Sequence, residues 1–117
     1  MPPVAAAHPG VARPRLTYLD IAGFADGVRL ALAFLGDGDV GDSFEDVRVN
    51  YEGLVALRAA GSLPFGQVPT LELPGAPGRV FAQSGALLRW AGDAAGLYPR
   101  ELLLDIEQVL GALGDIR

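Results

Sequence analysis

The sequence contains no cysteine and no lysine, and it has one histidine and one tryptophan among its 117 residues. Without cysteine the chain has no disulfides, no thiolate metal ligands and no cysteine nucleophile, which argues against a redox protein of the dithiol type. His8 stands alone in a stretch rich in proline and alanine, so it does not provide a metal site. We therefore expect no metal cofactor and no thiol chemistry from the chain's own side chains.

Clustered positive charge and long apolar runs are also missing. The formal net charge is −5, and the nine basic residues, all arginines, are scattered along the sequence. Binding to nucleic acid depends on clustered basic residues, so we expect no nucleic-acid partner. No apolar run approaches the roughly 18 residues that a membrane span needs, so we expect a soluble protein with no membrane partner.

The length and composition are those of one folded domain. A chain of 117 residues, half of them hydrophobic, can bury about two-thirds of its unfolded surface. Residues 1–14 have four prolines and no hydrophobic period, and we predict a disordered extension there. They also lack acidic residues, so an organelle targeting segment stays open, although serine and an amphipathic pattern are absent.

The first half of the chain alternates between strand and helix patterns. Residues 15–20, RLTYLD, predict a strand, and residues 24–35 carry apolar side chains at helical spacing from Phe24 onward. The stretch GDGDVGDS then resembles a solvated loop, because it lacks the spacing and terminal glutamate of a calcium loop. A second strand over residues 44–49 and a second helix over residues 51–60 follow.

Residues 63–84 predict a β-hairpin with a possible binding element at each end. Strand-like alternation flanks the turn sequence PGAPG. The bond between Val68 and Pro69 is a natural place for a cis peptide, which would leave main-chain groups of Val68 available to an extended peptide. At the other end a helix begins at Ser84, and its first N–H groups favour a carboxylate.

Two helices are predicted after the hairpin. In the helix over residues 85–94, the apolar residues expected to face inward or toward an interface are Leu87, Leu88, Trp90 and Ala91. The helix over residues 101–116 carries a stripe with no evident partner in the chain, formed by Leu103, Ile106, Val109, Leu110 and Leu113. The order β-α-β-α-β-β-α predicts an α/β fold of the thioredoxin-like type, a mixed sheet with helices on both faces.

Four motifs carry a resemblance to a known family: RLTYLDIAG, LPFGQVPTLEL, FAQSGALLRWAG and GLYP. The chain resembles the glutathione transferases, most closely the sigma class that includes haematopoietic prostaglandin D synthase and the S-crystallins. The resemblance implies a thioredoxin-like glutathione-binding domain over residues 15–98. It also implies that residues 99–117 are the first helix of an all-helical C-terminal domain, which is incomplete here.

The resemblance implies that Tyr18 is catalytic and donates a hydrogen bond to the glutathione sulfur. A free thiol has a pKa of about 8.5, so stabilisation of the anion is needed to obtain much thiolate at neutral pH. The glutathione-binding residues are expected to be Tyr18, Gln67, Val68, Pro69, Gln83 and Ser84. Arg58 is a further candidate, for the glycine carboxylate, and Phe24 stands where many relatives have an arginine.

Each of these residues also has an ordinary structural interpretation. Tyr18 could cap the core with its hydroxyl in water, Ser84 could be a simple helix N-cap, and Pro69 could be trans on an edge strand. The predicted function is a glutathione transferase that activates the glutathione thiol for attack on a small electrophile. It is expected to be a cytoplasmic homodimer. The alternative is a non-catalytic glutathione-binding or structural domain, which the phenylalanine at position 24 favours.

Overall fold

The computed structural model describes residues 10–35 and 43–114, and the elements follow one another in the order expected. Strands β1 and β2 are Arg15–Leu19 and Glu45–Val49, and strands β3 and β4 are Thr70–Glu72 and Phe81–Ala82. Helices α1 to α4 are Asp26–Ala33, Tyr51–Ala59, Ser84–Ala94 and Leu103–Gly114, the last preceded by a 3-10 turn at Arg100–Leu102. The predicted acidic loop and most of the predicted N-terminal extension lie outside the described residues.

The four strands form one mixed sheet in the order β2-β1-β3-β4. Strand β1 runs parallel to β2, with α1 as the crossover, and antiparallel to β3, which pairs with β4 as a hairpin. Because β1 is central, three consecutive residues, Leu16, Thr17 and Tyr18, are buried. The predicted thioredoxin-like fold is confirmed.

The main core lies between the sheet and the packed pair of helices α1 and α3. Its fully buried side chains include Leu16 and Leu71 from the sheet and Val28 and Leu32 from α1. The two helices approach closely at Gly27, where a Cβ atom would lie 3.2 Å from a methyl carbon of Leu88. This packing fixes the start of α1, and so the segment that follows β1, relative to the sheet.

The first helix begins later than the periodicity predicted. Asp26 starts α1 because its N–H donates to the Gly23 carbonyl, while its side chain accepts from the Gly23 N–H. Phe24 therefore lies in a turn before the helix, and its side chain is 57% exposed. Its assignment to the apolar stripe of the helix was wrong. Trp90, expected to face inward or toward an interface, is 39% exposed.

The last helix has a partner that its sequence did not reveal. Ile106 and Leu110 face α1 and α3 across an apolar cavity of about 320 Å³. Glu107, beside this stripe, is bonded to Arg89 and Tyr98 and so attaches the helix to α3. The prediction that the whole stripe is unpartnered was wrong, although Val109 and Leu113 remain exposed. Within the described residues, no helix has the length and apolar character needed to cross a membrane.

Candidate functional site

All seven residues predicted from the sequence line one cavity of about 360 Å³. The cavity lies where β1 ends, between α2, the loop before β3 and the start of α3. Its predicted lining residues are Tyr18, Arg58, Gln67, Val68, Pro69, Gln83 and Ser84. Its additional lining residues are Leu19, Phe24, Leu54, Phe65 and Ala82. One wall is therefore mostly polar, and the segments after β1 and before β3 contribute aromatic side chains.

Tyr18 is buried at the cavity wall, with only 5% of its surface exposed. Its hydroxyl oxygen accepts a hydrogen bond of 3.4 Å from the Phe24 backbone N–H. Accepting this bond leaves the hydroxyl proton available to a group in the cavity. The backbone of Gly23 passes so close that a Cβ atom there would lie 2.9 Å from the hydroxyl oxygen. These contacts argue against a tyrosine that caps the core with its hydroxyl in bulk water.

Arg29 is a neighbour of Tyr18 that the sequence interpretation missed. Its guanidinium carbon lies 5.7 Å from the centroid of the Tyr18 ring, and its side chain is only 12% exposed. The guanidinium donates to Asp46 at 3.0 Å and to the Leu19 carbonyl at 3.5 Å. The available signal was an arginine within the apolar segment of α1, three residues after Asp26. A partly buried cation at this place requires such partners.

The loop before β3 forms one wall of the cavity, opposite the start of α3. Its Val68-Pro69 peptide bond is cis, as the sequence favoured. Arg58, on α2, donates from Nε to the Gly66 carbonyl at 2.6 Å. This bond uses one of the five guanidinium N–H donors and ties α2 to the segment that carries Gln67. Arg58 thus lies at the cavity wall, beside the loop that carries Gln67.

The start of α3 forms the other polar wall. Gln83 has φ of 78° and ψ of 108°, a conformation that costs a non-glycine residue free energy. It occupies the N-cap position, and no side chain caps the helix there. Ser84 is the first helical residue, so the interpretation of Ser84 as an ordinary N-cap was wrong. The first-turn N–H groups of α3 are therefore suited to an anionic group in the cavity.

No protein-family model matches the chain. Glutathione S-transferase 1 of Ascaris suum is 41% identical over 83 residues, which cover 71% of this chain and 35% of that relative. A Nu-class GST from Haemonchus contortus matches with a TM-score of 0.73 and 27% identity, over 88% of this chain and 47% of that structure. The chain is similar in sequence and in fold to glutathione S-transferases.

A prostaglandin synthase D of Nilaparvata lugens extends this likeness, with a TM-score of 0.71 and 30% identity over 88% of this chain and 48% of that structure. The sheet and its helices thus have the same fold as the matching part of these two solved structures. The chain spans just over a third of the length of the curated glutathione S-transferases that it matches. Among the residues described, no cluster of three histidine, aspartate or glutamate side chains is placed to hold a metal.

Proposed function

We propose that the chain binds glutathione in the 360 Å³ cavity and acts in a glutathione transferase. The observation that carries the proposal is the meeting of three elements in that cavity. They are a buried tyrosine hydroxyl with a proton to donate, an uncapped helix N-terminus and an arginine. Relatives at 37–41% identity that are named glutathione S-transferases support it.

The charges of glutathione match the two polar walls of the cavity. Its γ-glutamyl carboxylate would bind at the start of α3, beside Gln83 and Ser84, where N–H groups and the helix dipole favour an anion. Its glycine carboxylate would bind Arg58, and the main chain at Val68, with Gln67 beside it, would hold the peptide between them. In this pose the cysteine sulfur lies toward Tyr18.

The role of Tyr18 is to stabilise the thiolate. A hydrogen bond to the anion favours the charged form and lowers the thiol pKa from its ordinary value of about 8.5. The bond that the hydroxyl accepts from Phe24 polarises it and strengthens its own donation. With 1-chloro-2,4-dinitrobenzene, a sulfur–carbon bond forms, the carbon–chlorine bond breaks and chloride leaves with its electron pair. The proton of the thiol passes to solvent.

Titration of the 117-residue chain with glutathione tests the proposal, by calorimetry and by thiolate absorbance near neutral pH. We expect Tyr18→Phe to keep the glutathione affinity within about threefold, because one hydrogen bond to the sulfur contributes little to binding of the neutral thiol. The same variant should lose the thiolate absorbance and most of the turnover. Tyr51→Phe is the matched control, since Tyr51 is 69% exposed and outside the cavity.

The titration also separates the alternatives. A chain that binds no glutathione contradicts the proposal. Binding that is accompanied by neither thiolate nor conjugation would instead favour the non-catalytic glutathione-binding domain.

The enzyme class, the oligomeric state, the domain boundary and the cellular location form part of the same proposal. A sigma-type enzyme is supported by the likeness to the prostaglandin synthase of Nilaparvata lugens. A homodimer is supported by the exposed apolar side chains of α4, among them Leu104 at 80% and Leu113 at 59% exposure. We also propose a domain boundary near residue 98 and a cytoplasmic location. Sedimentation of the chain and of Leu104→Glu tests the dimer, which should dissociate more readily in the variant.

A further inference from the structure

We propose that Arg58 is a positioning residue, because its bond to the Gly66 carbonyl sets the loop whose main chain at Val68 would hold the cysteine of glutathione. This inference rests on the proposed function, since it takes the peptide to be held at Val68 and the sulfur to lie at Tyr18. It goes beyond that function in giving Arg58 a role at the sulfur that is separate from binding the glycine carboxylate.

The loop between α2 and β3 is fixed at both of its ends. At its start, two backbone hydrogen bonds of 3.1 Å close the end of α2. At its end, Pro69 is buried and Val68 packs against the core. The part between these ends is more exposed, and Phe65 shows 65% of its surface. The position of this middle part therefore depends on the bonds that it makes itself.

Two hydrogen bonds of Gly66 hold the middle of the loop. Its N–H donates to the Leu63 carbonyl at 3.2 Å and closes a turn, and its carbonyl accepts from Arg58 Nε at 2.6 Å. The first bond lies within the turn, whereas the second joins the turn to α2. The Gly66 carbonyl belongs to the planar peptide unit that leads into Gln67, one residue before Val68. The bond from Arg58 thus sets the direction in which the chain enters Val68.

Neither backbone sterics nor packing fixes Gly66 in place. Its φ is 70°, a value that glycine adopts about as readily as a negative one. Among the described residues, no atom beyond its chain neighbours lies within 4 Å of the place that a Cβ would take. The hydrogen bond from Arg58 therefore supplies the constraint on the peptide unit that follows Gly66.

A guanidinium can hold the loop and a carboxylate at the same time. Its five N–H donors lie in one plane, and the bond to Gly66 uses the donor at Nε. The Nη groups can then bind the glycine carboxylate, which would lie at a fixed distance from the Gly66 carbonyl because the guanidinium is rigid. Arg58 therefore makes two separable contributions, one to the loop through Nε and one to the carboxylate through Nη.

Two variants of equal side-chain length separate these contributions. In Arg58→Gln, the amide nitrogen stands the same number of bonds from Cα as the arginine Nε, so it can donate to the Gly66 carbonyl. In Arg58→Met, a methyl group takes that place and no donor remains. Neither variant has a charge for the glycine carboxylate. The probe is glutathione amide, in which a carboxamide replaces that carboxylate, so differences in its binding report on the loop.

Calorimetry on the full chain measures the affinity, and thiolate absorbance against pH at saturating ligand measures the pKa of the bound thiol. We expect Arg58→Gln to bind glutathione amide within about twofold of the parent chain, and Arg58→Met to bind it about threefold to tenfold more weakly, the contribution of one hydrogen bond. The thiol bound to Arg58→Met should also have a higher pKa, because the loop no longer holds the sulfur at the Tyr18 hydroxyl. Both variants should lose the preference for glutathione over its amide.

Arg79→Gln and Arg79→Met are the matched controls. Arg79 is exposed and lies 4.7 Å from the Phe81 ring, outside the cavity. The same two substitutions there should leave the affinity and the thiol pKa unchanged. Far-UV circular dichroism checks that each variant is folded, and Arg58→Ala replaces Arg58→Met if that variant is not. If glutathione amide binds too weakly to titrate, glutathione takes its place in the same comparison.

Three results would overturn the inference. Arg58→Gln and Arg58→Met could bind the probe with equal affinity; Arg58→Met could weaken binding but leave the thiol pKa unchanged; or Arg79→Met could cause the same losses. If the parent chain binds neither glutathione nor its amide, the proposed function fails and this inference falls with it. If the parent binds glutathione and the two Arg58 variants do not differ, only this inference fails.

Discussion

The guanidinium of Arg29 lies 5.7 Å from the centre of the Tyr18 ring, although ten residues separate the two in the chain. Asp46 on the neighbouring strand holds this guanidinium at 3.0 Å, and the Leu19 carbonyl accepts from it at 3.5 Å. A cation over the ring helps to fix its orientation, since a partly buried contact of this kind is worth about 1–2 kcal/mol. The phenylalanine at position 24 therefore does not leave Tyr18 without a nearby positive charge.

Replacing Arg29 should loosen Tyr18 and destabilise the fold. Arg29→Met keeps most of the apolar stem but removes the charge and the hydrogen bonds to Asp46 and Leu19. We expect a loss of about 1–3 kcal/mol in the free energy of unfolding, because these groups are partly buried. Urea denaturation measures the loss, and thiolate absorbance against pH should show a higher thiol pKa in bound glutathione.

Arg79→Met is the control for that substitution. Arg79 lies 4.7 Å from the Phe81 ring but is exposed, so its loss should cost less than about 1 kcal/mol. If Arg29→Met proves as stable as Arg79→Met and leaves the thiolate titration unchanged, Arg29 has no part in positioning Tyr18.

Gly23 should tolerate no side chain. Its φ of 150° is rarely adopted by other residues, and an added Cβ atom would lie 2.9 Å from the Tyr18 hydroxyl oxygen. We expect Gly23→Ala to cost about 1–3 kcal/mol in stability through backbone strain. It should also displace the hydroxyl and lower turnover at saturating glutathione. Gly75→Ala should be nearly neutral, because nothing lies within 4 Å of the added carbon. Equal stability and equal turnover in Gly23→Ala and Gly75→Ala would contradict the contact between Gly23 and Tyr18.

The attachment of α4 to α3 should weaken in acid. The Tyr98 hydroxyl donates to Glu107 at 2.7 Å, and Arg89 donates to it at 2.7 Å. These donors hold the pKa of the Glu107 carboxyl below its ordinary value of 4.5, with the Tyr98 bond as the larger cause. Because the folded pKa is the lower one, the stabilisation is complete above pH 4.5 and is lost as the pH falls through the folded pKa.

Thermal unfolding across that pH range checks the acid effect, with fluorescence of the single tryptophan, Trp90, as a reporter on α3. Glu107→Gln removes the titrating group and should flatten the fall in melting temperature below pH 4.5. Tyr98→Phe keeps the carboxylate but removes its main hydrogen-bond donor. The fall in melting temperature below pH 4.5 should therefore be smaller in this variant too. Parallel curves for the parent and both variants would show that this ion pair contributes nothing to the response.

Much of the candidate site could be predicted because its parts are local in sequence. The cis bond at Pro69, the hairpin turn and the helix that begins at Ser84 depend on neighbouring residues, so short motifs reveal them. Phe24 was misplaced because it continues the helical spacing of α1, and only the bonds between Asp26 and Gly23 end the helix before it. The partner of α4 was missed because Glu107 meets Arg89 only after the chain folds back.

The sequence by itself determined the order of the elements and the fold class, because these depend on apolar periodicity and on spacing along the chain. The residues expected around Tyr18 came from motifs that resemble those of the glutathione transferases. Tertiary structure alone decided the contact of Arg29 with Tyr18 and the exposure of Phe24 at the cavity. It also decided the bond between Arg58 and the Gly66 carbonyl. Each of these features depends on how β1, α1, α2 and the loop before β3 approach one another in space. Local sequence patterns do not predict such approaches between distant segments.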